Sequence, residues 1–208
     1  EGDFTERMAI ARKVYNEWMP IRTAAQTDQA PIYRAFQIGD LADLIMLDTR
    51  LHGRDEQFIY ERDIARLGGR DTFIKDHLFD PNRTILGADQ ENWLGAQLAA
   101  SKDRGTTWQV IGQQVLMGKV VTPVVPDNVT AKMKAQLPDE YSDWLDGLKP
   151  LAEAKLPLNL DAWDGYPLCR ERVHAAFKQL ASNPVVLAGD THNAWAFNMR
   201  NYQGEAVG

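Results

Sequence analysis

An alternation of helix-period stretches with short apolar runs predicts a layered α/β fold for this chain. Two runs carry the expectation. Val185 to Ala188 is continuous and apolar, the pattern of a strand buried on both faces, and it stops at Gly189-Asp190-Thr191-His192. Leu44 to Leu47 is a second such run and leaves through Asp48-Thr49-Arg50. Open α/β sheets carry their sites at the carboxyl ends of strands, which is where Asp190, His192, Asp48 and Arg50 emerge. Asp offers hard oxygen and His offers nitrogen, donors that suit two unlike metal ions. The same pair also suits an Asx-turn beside a surface imidazole.

The elements follow in chain order. Asp3 with Glu6 three residues on is a variant of the capping box. It opens a helix whose Phe4, Met8, Ala11, Tyr15 and Trp18 recur at helical spacing as one buried stripe. Pro20 ends that helix, and the polar stretch Thr23 to Pro31 reads as an exposed loop. Strands are predicted at Tyr33 to Ile38, half-buried, and at Leu44 to Leu47, central. Leu51 to Arg83 is dense in charge, with Gly68-Gly69 and Pro81 as breakers, and reads as an excursion with short helices. A helix from about Ala88 to Ser101 presents Trp93, Leu94 and Leu98, with Asp89 and Glu91 in the positive first turn. Trp108 to Val115 is the next strand. Val121 to Pro126 carries two prolines and is excluded as a central strand. Helical segments follow around Ala131 to Leu137 and Tyr141 to Leu148, and an amphipathic helix from Leu168 to Leu180 feeds the strand at Val185. Asn201 to Gly208 reads as the start of another strand. Trp18, Trp93, Trp108 and Trp163 are expected as core anchors, and His174 on the polar flank of its helix.

Composition narrows the function. The length of 208 residues suits one domain or most of one. A net charge of −6 argues against a broad nucleic-acid surface. No segment approaches the roughly 20 apolar residues of a membrane span. The single cysteine, Cys169, excludes an internal disulfide and a zinc cluster, and its place beside Val173 and Phe177 marks a small core residue. The chain opens Glu1-Gly2-Asp3 without an initiator Met, which fits a processed or excised piece.

Five phrases in order point to one family. They are Tyr15 to Arg22 (YNEWMPIR), Gly39 to Arg50 (GDLADLIMLDTR), Leu86 to Leu94 (LGADQENWL), Trp163 to Pro167 (WDGYP) and Gly189 to His192 (GDTH). In this order and spacing they resemble the alkaline phosphatase D family over essentially the whole chain. The resemblance implies a layered αββα metallophosphatase-like sandwich, present here as a partial domain over residues 1–208. It implies hydrolysis of phosphate mono- or diesters by a secreted enzyme, periplasmic or extracellular, at a centre of iron and calcium. Paired cations offset phosphoryl charge and deliver a hydroxide at working pH. By the same resemblance Asp190 and His192 are metal ligands, Asp190 better suited to calcium and His192 to iron. The family's other ligands (aspartates, a tyrosine, a cysteine and an asparagine) come from segments preceding the position of Glu1. Two candidates fall short of the about four to six ligands each ion needs. The expected partners are therefore a phosphate ester and the N-terminal segment of the same protein. Alone, the piece is expected to be inactive and to expose apolar sheet faces. A non-catalytic scaffold that binds a partner is the competing reading.

Most of the remaining candidates carry more than one reading. Arg50, the catalytic candidate, either forms bidentate bonds with a phosphate or pairs with Asp48 or another acid. Asp48 orients Arg50, joins a metal shell, or is a buried structural carboxylate. Asp164 faces the cleft or fixes the turn at Gly165. His52 assists a leaving group or is an exposed loop histidine. Asn193 lies near enough to the motif to meet a substrate oxygen.

Overall fold

The computed structural model describes residues 3–21 and 31–207. Apart from Pro31, the loop expected from Thr23 lies outside the described residues. Helix α1 (Phe4–Trp18) is capped as its sequence predicts, the Asp3 carboxylate accepting from Glu6 N at 3.0 Å. Strands β1 (Arg34–Ile38) and β2 (Ala42–Met46) form an antiparallel hairpin whose turn places Gly39 at φ 59°. The excursion after β2 contains α2 (Tyr60–Arg66) and α3 (Arg70–Thr72), the latter running on as a π-helical turn, Phe73–Leu78. Then come α4 (Gly87–Asp103), β3 (Trp108–Gly112), α5 (Asp127–Lys134), α6 (Glu140–Glu153), a 3₁₀ turn (Trp163–Gly165), α7 (Pro167–Leu180) and β4 (Pro184–Leu187).

The four strands form one mixed sheet in the order β1-β2-β3-β4, with β2, β3 and β4 parallel. Their carboxyl ends therefore share one edge. The register assigns the two faces. Ala35, Ile45, Ile111 and Val186 align across one face and pack with Leu94 and Leu98 of α4 and Val173 and Phe177 of α7. Phe36, Leu44, Val110 and Val185 align across the other. That second face is apolar yet open: Phe36, Ile38, Trp108 and Leu187 are 48%, 53%, 43% and 55% exposed. A sheet with two apolar faces is built to be covered on both. Among the described residues only one is.

Several expectations change on this account. β4 is not buried on both faces, because among the described residues no layer covers its second face. Trp108 and Trp18 are exposed instead of anchoring the core, whereas Trp163 is fully buried. The stripe on α1 is not buried, since no described element packs broadly on that helix and Phe4 is 63% exposed. His174 lies inside, under the C-terminal segment, and not on a polar flank. The tail forms a tight turn closed by an Arg200–Ala206 bridge, not a strand. Cys169 is buried as expected, and burial pushes its thiol up to about 11.

Candidate functional site

Glutamine side chains, Gln90 buried and Gln114 half-buried, shape the end of β2. The Gln90 side chain pairs both backbone groups of Asp48, accepting from its N and donating to its O at 2.8 Å each. Gln114 accepts from Thr49 N and Oγ1 at 2.7 Å and donates to Leu47 O at 2.8 Å. These amides continue the sheet's hydrogen bonding past the strand and hold the turn that presents Arg50. Asp48 is 1% exposed, and its carboxylate accepts from the backbone N of Arg50, Leu51 and His52 at 2.9–3.1 Å. Buried and bonded in this way, it fixes the loop. Gly53, at φ 72°, lets the loop cross Gly87 so closely that a Cβ would lie 2.6 Å from the Gly87 Cα.

Arg50 projects from this turn into a cluster of four charges. Its Nη1 donates to both oxygens of Asp161, at 2.8 and 2.7 Å, and its Nη2 reaches Asp190 Oδ1 at 3.3 Å. Arg54 donates to Asp161 Oδ1 at 2.7 Å, to Asp161 O and to Thr49 O. The ion pair foreseen for Arg50 thus exists, but with Asp161 and Asp190 and not with Asp48. Arg54 and Asp161 were missed by the sequence reading. Arg54 stands four residues after Arg50, and Asp161 three before Asp164, but 111 positions separate Arg50 from Asp161. The longer Asp190 contact is the weak member of the cluster.

The turn after β4 is strained. Asp190 and His192 adopt φ of 75° and 55°, and Thr191 N closes a three-residue turn on Gly189 O at 3.0 Å. Non-glycine residues held in this region gather at functional sites. Asp164 lies elsewhere: it is 4% exposed, accepts from Val120 N at 2.8 Å and pairs with Arg170 Nη1. Its neighbour Gly165 packs under the Leu160 carbonyl, where no Cβ fits. His52 is half-buried with its ring edge-on to Tyr33, 5.2 Å between centroids, so it is not an exposed loop histidine. Asn193 is exposed beside the Asp190 turn, on the rim of a groove under β4. The structure therefore brings together Arg50 and Asp190, and withdraws Asp48 and Asp164 into the scaffold.

A family model described as PhoD-like phosphatase matches residues 1–207 of the chain. The chain belongs to the PhoD-like phosphatase family. Alkaline phosphatase D of Bacillus subtilis (strain 168) is 33% identical over 199 residues, 94% of this chain and 27% of its relative. A solved structure of PhoD matches with a TM-score of 0.61 at 30% identity, over 92% of this chain and 30% of that one. The fold is accordingly the metallophosphatase-like one. The chain spans less than a third of the length of these relatives.

Iron and calcium were implied by the family resemblance. Among the described residues, no group of three or more His, Cys, Asp or Glu side chains converges as a metal site. Asp190 is turned toward the Arg50 guanidinium, which supplies the positive charge a metal would supply. The described residues alone therefore do not fit a metal pair of the PhoD-like kind.

Proposed function

We propose that this chain is the C-terminal part of a PhoD-like catalytic domain that hydrolyses phosphate mono- or diesters. The observation that carries the reading is the meeting of Arg50 and Asp190 at the shared carboxyl edge of parallel strands. Residues 140 positions apart converge where an α/β sheet places its chemistry. Arg50 is anchored by Asp161 through one nitrogen, which leaves its second nitrogen, now on Asp190 at 3.3 Å, for a phosphoryl oxygen. The exchange frees the Asp190 carboxylate. In this reading Asp190 and His192 are two of the ligands of an iron and calcium centre, and the rest come from other parts of the protein. The open apolar sheet face supports the partial-domain assignment. By family, the site of action is periplasmic or extracellular; among the described residues no helix is long and apolar enough to cross a membrane.

The incomplete donor set favours a second reading, a non-catalytic scaffold. One experiment separates them. A longer form of the protein is loaded with iron and calcium and assayed on p-nitrophenyl phosphate and bis(p-nitrophenyl) phosphate. Asp190→Ala and His192→Ala are each expected to abolish turnover and to lower bound metal. Wild-type rates in both variants would overturn the ligand assignment. Metal-free protein without turnover would leave the scaffold.

A further inference from the structure

We propose that the groove between α6 and residues 57–61 binds the organic, non-anionic part of a phosphate ester whose phosphoryl group sits at Arg50. This rests on the phosphatase reading. The groove encloses ≈ 460 Å³, with walls from Ile59, Tyr60, Trp144, Leu151 and Leu158. Trp144, Ile59 and Leu158 are 51%, 45% and 40% exposed. Large apolar side chains concentrated in one concavity mark a binding surface more than scattered ones do. The Tyr60 hydroxyl is committed to Pro157 O at 2.9 Å, so its ring serves as an apolar wall. Among the described residues, the only charged groups on the lining are Glu61 and Asp143. Two carboxylates and no cation repel an anionic ligand and admit a neutral or cationic one.

Two links join the groove to the arginine cluster. Asn159 lines the groove and its Oδ1 accepts from Asp161 N at 2.8 Å, while the Asp161 carboxylate holds Arg50 and Arg54. Along a second path, Arg54 lies over the Tyr166 ring at 5.1 Å, and Arg83 packs between Tyr166 at 4.4 Å and Phe58 at 3.7 Å. Phe58 is itself part of the groove wall. In this proposal a phosphate ester anchored at Arg50 directs an aryl or alkyl alcohol, bare or carrying an ammonium group, into the groove that Asn159 and Phe58 connect to the arginine cluster.

The test compares two monoanions with the same head, phenyl methylphosphonate and methyl methylphosphonate, by calorimetric titration of a longer form of the protein. The aryl ligand is expected to bind at least about ten-fold tighter. Trp144→Ala should bring the ratio near one without weakening the methyl ligand, and Trp144→Phe should keep most of the preference. A wild-type ratio near one, or a ratio unmoved by Trp144→Ala, overturns the proposal. So does a Trp144 shielded from acrylamide, which would mean that protein already fills the groove. Arg50→Ala should weaken both ligands alike. If it weakens neither while Trp144→Ala still removes the aryl preference, the anchoring of phosphate falls and the groove stands.

Discussion

Lowering the pH from 7 to 4 should remove stability through one imidazole. His174 is 4% exposed, and among the described residues neither ring nitrogen has a hydrogen-bond partner. Its Nδ1 is 3.7 Å from Glu171 Oε1, too long for a hydrogen bond. Burial, and then the Arg170 charge, push its pKa from the ordinary 6.5 down to about 4. The unfolded chain therefore takes up the proton first. The contribution is fully present above the unfolded value and is lost as pH falls through the window from 6.5 to about 4. That gap corresponds to about 3 kcal/mol. Replacement by Leu removes the group, and two unpartnered polar atoms with it, so His174→Leu should equal or exceed the wild type at neutral pH. Urea unfolding followed by tryptophan fluorescence at pH 7, 5.5 and 4.5 reads both proteins. The carboxylates held low by their partners, Glu91 by Arg172 and Glu205 by Lys178, lose their contributions in acid in both and cancel in the difference. The variant should gain on the wild type steadily through the window, approaching about 3 kcal/mol at its lower end. Parallel stability curves would refute a buried, neutral His174.

Two further outcomes follow from the same geometry. Asp164→Ala leaves the Arg170 guanidinium, 4% exposed, without its carboxylate and should cost about 3–5 kcal/mol in denaturant unfolding, whereas replacing both residues by apolar ones should cost less; a single-variant loss under about 1 kcal/mol would contradict a buried pair. His192→Gly relieves a left-handed backbone at φ 55° and should raise the unfolding free energy by about 1 kcal/mol while removing the ligand the proposed function needs; a lowered unfolding free energy would show that the turn is not strained.

Patterns of short range were legible in the sequence. Strand-sized apolar runs placed β2 and β4 within two residues, and Asp3 with Glu6 marked the start of α1. Burial was less legible, because it depends on what lies across from a side chain. The run at Val185 has the composition of a doubly covered strand, but only its helix-side face is covered. His174 sits on the inner side of α7 because the C-terminal turn folds over it, a contact that helical periodicity does not contain. In the candidate site, Arg50 and Asp190 were legible as candidates because each follows a recognisable strand, and the fold brings them within 3.3 Å of each other. Asp161 was not, because it lies in an irregular stretch with no period, and only the fold brings it to Arg50.

The contrast among the acids shows what separates scaffold from site here. Asp48 and Asp164 both sit in the family-like phrases, yet each spends its oxygens on backbone N–H groups or a buried arginine, within 4% exposure. Carboxylates so satisfied have little left to offer a ligand. Asp161 is intermediate: it neutralises Arg54 and holds one side of Arg50 while part of it meets solvent. Asp190 alone combines an exposed carboxylate, a strained backbone and a contact long enough to exchange. Its strain is borne by a turn at the sheet edge, beside the open apolar face, where few contacts of this chain reinforce it. Strained conformations persist when the surroundings over-determine them. For Asp190 and His192 those surroundings are incomplete among the described residues, and under the proposed function it is further protein that completes them.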